Sequence, residues 1–434
     1  MNHLRYSFFV CNKPLDVGFD EFTTMQVGAF YVGCVEGFLP DTIFINGDTL
    51  TVFGTHMNTE CIYYIEQDNN VAIFNDLFLA RPLLQALKLP VLYSQQQHED
   101  LTFFKNVQRM KCGEQLHVQV HGKSAKLTVI TFSAFLKNID PPSGNIEECK
   151  DRFFKSLDAA VMHGLENEPD ISIALSGGVD SGSIASLVRS HRSRLTTYTV
   201  STDWGDEYIA AKETADFLGI PLELVHITKE EIIREIPNVI RYFHFTSPES
   251  IEIALVAHCL YKKLYEADAK KRTFFTGYGS DLLNAGVYSH FNNYEELHAD
   301  CMKRVIATQL SNEFSNLSAL NHGVKVFHPF WETNVISAAL QVPAKFKVIK
   351  GQDKFYFREM MSGKLPDNTV WRKKLGAHHG TGLSQHLQNV LGDGSPTGYQ
   401  HAIKKLHEEI FCYGNYDYHA KQAGHAAQLV AQPG

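Results

Sequence analysis

The chain has 434 residues, 40 Lys and Arg against 48 Asp and Glu, and a formal net charge of −8. The length suggests two domains or three, and 44% apolar with 20% charged residues is ordinary for a soluble globular protein. The acidic balance argues against a nucleic-acid-binding surface, and no run reaches the roughly 18 apolar residues of a membrane span. The longest weakly polar stretch, Val27 to Pro40, contains Glu36 and three glycines. The N-terminus has no basic start followed by an apolar core, so no signal peptide is expected. The eight cysteines are scattered without a Cys-x-x-Cys pair, as reduced buried thiols are, and the expected compartment is the cytoplasm.

Residues 1–140 read as a β-rich domain. Phe8 to Val10, Phe30 to Val35, Thr42 to Ile45, Leu50 to Phe53, Cys61 to Ile65 and Asn70 to Phe74 are short β-branched or aromatic runs between Gly, Asp and Asn. Leu83 to Leu87 reads as a helix. Leu116 to Val120 and Ala125 to Ile130 flank a His121-Gly122-Lys123 turn as a hairpin. Gly122-Lys123-Ser124 mimics the end of a Walker loop, but His117 stands where that loop needs its first Gly. Asp140-Pro141-Pro142-Ser143-Gly144-Asn145 breaks any element and is the expected linker.

Residues 141–434 alternate between helix and strand. Ile146 to Leu165 has helical periodicity. Ile171, Ile173 and Leu175 alternate with small residues and stop at Ser176-Gly177-Gly178-Val179-Asp180-Ser181, after which Ser183 to Arg189 has helical spacing. A buried strand, a Gly-rich turn and a helix N-terminus make an anion site, because N–H groups and the helix dipole point at the ligand. Ser176 and Ser181 add hydroxyl donors, and Asp180 can hold a divalent cation against phosphates. Thr196 to Thr202 is the next strand. Asp206 to Leu218 is expected as a helix with Ile209, Ala210, Thr214 and Phe217 on one face and Gly219 as its stop. Leu222 to His226, Lys229 to Tyr242, Ile251 to Tyr265 and Thr273 to Thr276 then read as strand, helix, helix and strand. The pattern implies a parallel sheet with ligands at the carboxyl ends of its strands. Beyond about residue 290 the chain reads as mostly helical.

Two further strings carry chemistry. In Phe274-Phe275-Thr276-Gly277-Tyr278-Gly279-Ser280-Asp281 a strand again ends in a Gly-bracketed turn, and Asp281 with Asp180 would suit Mg²⁺ bridging phosphates. A plain helix cap is the alternative for Asp281. In Val370-Trp371-Arg372-Lys373-Lys374-Leu375-Gly376-Ala377-His378-His379 three consecutive cations suit an anionic site, although a charge run is usually a solvated face.

The Ser-Gly-Gly-Val-Asp-Ser string resembles the PP-loop of the N-type ATP pyrophosphatases, which hold the β,γ-pyrophosphate of ATP while its α-phosphate is attacked. Phe74-Asn75-Asp76, Arg81-Pro82-Leu83-Leu84 and Phe104-Lys105-Asn106-Val107 resemble the N-terminal amidohydrolase (Ntn-type) domain of class B asparagine synthetases. Asn2 stands where glutamine-dependent members carry their nucleophilic Cys, and Cys11 lies inside the first strand. An N-terminal nucleophile uses its own α-amino group as base, so no glutamine hydrolysis is expected. Class B asparagine synthetases have Glu where Tyr278 stands; the Tyr resembles carbapenam synthetase and β-lactam synthetase, and the Trp371 to Gly376 string with His378 also resembles carbapenam synthetase. Asn312-Glu313-Phe314 falls where those enzymes keep a Glu, and His328-Pro329-Phe330-Trp331 matches another family string. His379 departs from their Glu, which leaves the substrate open.

The resemblance implies an α/β synthetase domain over residues 141–434 behind a degenerate glutaminase-like domain over 1–140. It implies ATP and Mg²⁺ as cofactors, and adenylation of a small amino-acid-derived carboxylate followed by attack of an amine, as in natural-product biosynthesis. On that resemblance Tyr278 and Glu313 are the base pair, with Glu313 orienting the phenol and stabilising its deprotonated form, and Lys374 stabilises the oxyanion and leaving AMP. Leu175, Ser176, Gly177, Gly178, Asp180, Ser181, Gly277 and Lys354 would hold ATP and pyrophosphate, and Val200 and Ser201 the adenine. Tyr278, Gly279 and Ser280 would meet the substrate; Asp180 and Asp281 would hold the metal. An intramolecular lactam, a linear amide, a peptide macrolactam, ammonia-dependent asparagine synthesis and a non-catalytic ATP-binding role are the alternatives. No nucleic-acid or membrane partner is expected, and self-association stays open.

Overall fold

The computed structural model describes residues 6–18, 22–35, 37, 39–55, 57, 59–95, 102–131, 135–166, 168–192, 194–268, 272–287, 291–373 and 376–413. Its N-terminal half is built from two antiparallel sheets. One runs in the order Thr23–Val27, Phe30–Cys34, Phe8–Cys11, Asn70–Phe74, Tyr63–Gln67, Gln108–Arg109; the other runs Ser124–Thr131, Glu114–His121, Thr49–Phe53, Ile43–Asn46. Alternation along each strand sends Phe8, Val10, Val32, Val71 and Ile73 of the first sheet against Leu50, Val52, Leu116 and Val118 of the second. The last hairpin turns at Gly122, whose φ of 61° supplies the left-handed residue that a two-residue turn needs. Cys11 is fully buried inside its strand, and burial pushes its thiol up to about 11.

The five parallel strands of the C-terminal sheet run in the order Leu222–Ile227, Thr196–Thr202, Ile171–Ala174, Arg272–Phe275, Val324–Phe327, and Gly205–Asp206 adds a sixth strand, antiparallel to Thr196–Thr202. The chain winds one way through the first three strands and then crosses to the other side for the last two. The strand order therefore reverses between Ile171–Ala174 and Arg272–Phe275, and ligands bind in the crevice at such a switch point. The helix Ile146–Leu165 opens on a capping box between Asn145 and Glu148 and buries Cys149, Phe153, Leu157 and Leu165.

Two expectations change. Val324–Phe327 is a four-residue strand inside the stretch that reads as mostly helical. The helix Tyr208–Leu218 turns its small face inward: Ala211, Thr214 and Ala215 are buried, while Ile209 is 84% and Phe217 55% exposed. The reason is proximity, since a side chain at Gly177 would meet Ala210 at 2.5 Å.

The two halves share one core. Phe9, Ile65 and Phe74 of the six-stranded sheet pack with Ile232, Ile236, Ile240 and Leu255 of the helices Lys229–Phe243 and Pro248–Ala267. Inside this layer Arg241 pairs with Asp76 at 2.7 Å, both fully buried, and Ser7 donates to the same carboxylate at 2.8 Å. Among the described residues no helix is long and apolar enough to cross a membrane.

Candidate active site

The strand Ile171–Ala174 delivers Leu175, buried and bonded through its N–H to the Tyr198 carbonyl at 2.8 Å, into the turn Ser176-Gly177-Gly178. Gly178 caps the helix Val179–His191. The Ser181 hydroxyl braces this turn: it accepts from the Ser176 N–H at 3.1 Å and lies 3.1 Å from the Ser176 hydroxyl and 3.3 Å from the Gly178 carbonyl. Gly177 has φ +70°, a left-handed conformation that favours glycine. The second turn lies directly against the first, since a Cβ on Gly277 would come within 2.6 Å of the Ser181 nitrogen.

Asp180, Asp281 and Lys354 meet here. The Lys354 ammonium, fully buried, lies 2.6 Å from Asp180 and 2.5 Å from Asp281. Lys354 holds φ at 55°, a costly conformation of the kind that gathers at functional sites. Asp281 lies in the first turn of Ser280–Leu283, behind Gly279, so it is not the cap. Two carboxylates converging on one cation form a hard-oxygen donor set that fits Mg²⁺, whose remaining positions are ordinarily filled by phosphate oxygens and water. Among the described residues no cluster of three or more His, Cys, Asp or Glu forms a cage.

Tyr278 and Glu313, 35 positions apart, are joined by a hydrogen bond from the phenol to the carboxylate at 3.0 Å. Burial, and next the Glu313 charge, hold the Tyr278 phenol well above its usual range; burial likewise raises Glu313. This reverses the expected electrostatics: a carboxylate beside a phenol opposes the phenolate rather than stabilising it. Aromatic neighbours fix the pair. Phe314 stacks on Trp331 at 4.2 Å and tilts against Tyr278 at 4.9 Å. Thr276 accepts from the Tyr278 N–H at 3.3 Å and bonds His328 at 2.7 Å. Ser280 is fully buried, with its hydroxyl accepting from Asn284 at 3.1 Å.

Val200 and Ser201 lie near the carboxyl end of the neighbouring strand, and the Ser201 hydroxyl bonds His226 at 3.1 Å. The cleft is walled by Ser176, Gly178, Asp180, Lys354, Arg358 and Arg372. Arg372 pairs with Glu207 at 3.1 Å and donates to the Ser176 carbonyl at 3.3 Å. Lys374 lies outside the described residues.

The sequence reading missed Arg358. It is 1% exposed and donates to the carbonyls of Asp353, Val370 and Arg372 and to the Asp353 carboxylate, at 2.5–3.0 Å, tying the Lys354 turn to the basic string. Its one signal in sequence is a cation inside the apolar run Phe355-Tyr356-Phe357-Arg358-Glu359-Met360-Met361.

A parallel α/β sheet with a Ser-Gly-Gly phosphate turn and two carboxylates in the first turns of the helices that follow its switch-point strands defines a nucleotide-binding architecture of the PP-loop kind. The asparagine synthase profile matches residues 153–303 and 294–396, a span that includes every described residue of this cleft. The chain belongs to the asparagine synthase family. It is 28% identical over 243 residues to the carboxyethyl-arginine beta-lactam-synthase of Streptomyces clavuligerus, covering 55% of this chain and 46% of that one. It is 26% identical over 252 residues to a glutamine-hydrolyzing asparagine synthetase of Oryza sativa subsp. japonica, covering 53% and 42%. The chain thus spans about half the length of the curated relatives it matches. Among solved structures, the NMN synthetase of Francisella tularensis aligns over 63% of this chain and 96% of its own at 14% identity, with a TM-score of 0.31, too low to carry an argument.

Proposed function

We propose that this protein is an ATP-dependent carbon–nitrogen ligase that releases AMP and pyrophosphate and closes an amide, in its best-supported form a lactam, within a small amino-acid-derived substrate. The observation that carries this reading is the Tyr278–Glu313 hydrogen bond, close beside the Asp180–Lys354–Asp281 cluster. A nucleotide-binding scaffold has no use for a half-buried phenol–carboxylate pair beside its phosphate turn. The likeness to a β-lactam synthase supports the intramolecular form. The N-terminal sandwich, with Cys11 sealed inside a strand, is read as a degenerate amidohydrolase-like domain.

In the first step a substrate carboxylate oxygen attacks the α-phosphorus and the bond to pyrophosphate breaks. Ser176, Ser181, the Gly178 turn and Lys354 hold the departing pyrophosphate; Mg²⁺ held by Asp180 and Asp281 would neutralise its charge. In the second step the amine attacks the acyl carbon, its proton passes to the Tyr278 oxygen as the phenol proton moves to Glu313, and AMP leaves with the electrons of the broken C–O bond. Lys374 is assigned to the oxyanion.

The test is rapid-quench measurement of adenylate and final product, after a pyrophosphate-release screen of amino-acid-derived acids, peptides and ammonia finds the substrate. Tyr278→Phe is expected to form adenylate normally and to lose on the order of 10²–10⁴-fold in the second step. Glu313→Gln should match it, and the double variant should be little worse than either, because the pair acts as a unit. A Tyr278→Phe protein that forms product at the parent rate removes the pair from the mechanism.

A further inference from the structure

Glu313 lies on the connection between the helices Tyr294–Gln309 and Leu317–Asn321. This connection is held from outside by the N-terminal half. Arg109, 2% exposed, donates from Nη1 to the Leu310 carbonyl at 2.7 Å and from Nη2 to the Ser311 carbonyl at 2.6 Å. Cys61, 3.4 Å from the same guanidinium, donates to the Asn312 side chain at 3.1 Å. Asn312 and Tyr63 converge on His244 Nδ1 at 2.8 and 3.0 Å. The Met57 carbonyl accepts from the Trp331 indole at 3.0 Å, and Trp331 stacks on Phe314. The Thr59 carbonyl accepts from the Asn316 N–H at 3.2 Å. Residues 310, 311, 312 and 316 are therefore gripped directly by residues 59–63 and 109, and Phe314 through Trp331. Glu313 sits in the middle of that grip and faces the opposite way, toward Tyr278.

We propose that the N-terminal sandwich is a positioning device for the Tyr278–Glu313 pair, with Arg109 as its principal positioning residue. The inference rests on the assignment of that pair as the proton acceptor. A guanidinium bonded to two adjacent carbonyls fixes the backbone of the connection more stiffly than neutral bonds do, because charge-assisted hydrogen bonds are about twice as strong. The carbonyls it releases would be left in a buried interface, so the connection must move to find partners. A displacement of about 1 Å at a reacting group costs roughly 10²-fold in rate. An ordinary domain contact predicts none of this. The Arg241–Asp76 pair also joins the two halves.

The experiment compares Arg109→Met and Arg109→Lys with Gln95→Ala, which removes a surface bond to Glu408 on the same boundary. Hydrogen–deuterium exchange of peptides covering residues 309–316 is expected to quicken in Arg109→Met, less in Arg109→Lys and not in Gln95→Ala. By rapid quench, Arg109→Met should form adenylate near the parent rate and product about 10²-fold more slowly. In a Tyr278→Phe background the same change should add little, since the group being positioned has already gone. Unchanged exchange in a folded Arg109→Met protein overturns the grip. Equal slowing of both steps makes Arg109 merely structural and overturns positioning. Should Arg109→Met not fold, Tyr63→Phe removes the phenol's bonds to His244 and Asn312 in the same network and must shift exchange and the second step in the same direction, or the proposal fails. A silent Tyr278→Phe refutes the proton-acceptor assignment instead, and the exchange data still judge the grip.

Discussion

A single methyl group at position 286 should disable the nucleotide site without unfolding the protein. Gly286 follows the helix Ser280–Leu283, and its N–H is bonded to the Asp281 carbonyl at 2.9 Å. Its φ is not in the left-handed range, so alanine brings no backbone strain. A Cβ there would stand 2.2 Å from the Asp281 carboxylate, 2.2 Å from Lys354 Cε and 3.0 Å from Nζ. Ordinary contact lies near 3.5 Å, so Lys354 and Asp281 must part or retreat by more than about 1 Å. Lys354 is fully buried and has no solvent to retreat into. Overpacking of this size costs about 1–3 kcal/mol of stability, which a folded domain survives, while displacement of phosphate ligands by about 1 Å costs roughly 10²-fold in affinity. The assay is thermal denaturation with and without MgATP. At 100 times its Kd a ligand stabilises by about 2.7 kcal/mol; at a hundredfold weaker affinity and the same concentration the gain falls to about 0.4 kcal/mol. Gly286→Ala should therefore melt cooperatively without nucleotide and show almost no MgATP shift. A folded Gly286→Ala protein with the full shift would show that Lys354 and Asp281 do not meet the phosphates.

Two further outcomes are expected. Asp180→Asn and Asp281→Asn keep shape but remove a charge facing Lys354, and each should cut substrate-dependent pyrophosphate release by about 10²-fold or more; near-parent turnover in either would end the metal assignment. Glu252 is 5% exposed and burial pushes its carboxyl up to about 7. Its folded pKa exceeds the unfolded value near 4.3, so its contribution to stability is full below that value and is lost as pH rises through about 7. The Tm of the parent should accordingly fall relative to Glu252→Gln between pH 5 and pH 8, and parallel curves would refute it.

The legible parts of this molecule are those where one stretch of chain states its own chemistry. Ile171 to Arg189 announces strand, turn and helix because alternation, glycines and 3.6-residue spacing follow in order, and the anion site belongs to that one segment. The Tyr278–Glu313 pair is different: nothing in the periodicity of either segment says that they touch, and only the family resemblance pairs them. The helix Tyr208–Leu218 shows the limit of spacing arguments. Its apolar residues define a face, but close approach to Gly177 admits only small side chains, so the smaller face goes inward. Arg109 and Gly286 were illegible for the same reason. Each matters through contacts with residues more than 60 positions away, carbonyls 310 and 311 for one and Lys354 for the other. Val324–Phe327 is too short for alternation to declare it, and it exists because Arg272–Phe275 offers it an edge.

The geometry of the phenol–carboxylate pair also decides how it can move a proton. Two negative charges 3.0 Å apart repel by about 5 kcal/mol at an effective dielectric near 20, and less where water reaches them. A resting phenolate beside an ionised Glu313 is thus disfavoured, and in the reactive form the pair carries its single negative charge on Glu313. On the proposed mechanism the amine's proton would travel through the phenol to the carboxylate in one movement, leaving the pair neutral. Glu313 has to be ionised for this, and burial raises its pKa. The second step should then fall as pH drops through a value above the ordinary carboxylate range, about 4.3. The substrate amine has its own ionisation, so the informative quantity is the ratio of the parent rate to that of Glu313→Gln, in which the substrate's contribution cancels. This ratio should be flat at neutral pH and decline toward one in acid. A ratio that instead climbs steadily from pH 7 to pH 10 would mean that a phenolate is the base, and the relay through Glu313 would be wrong.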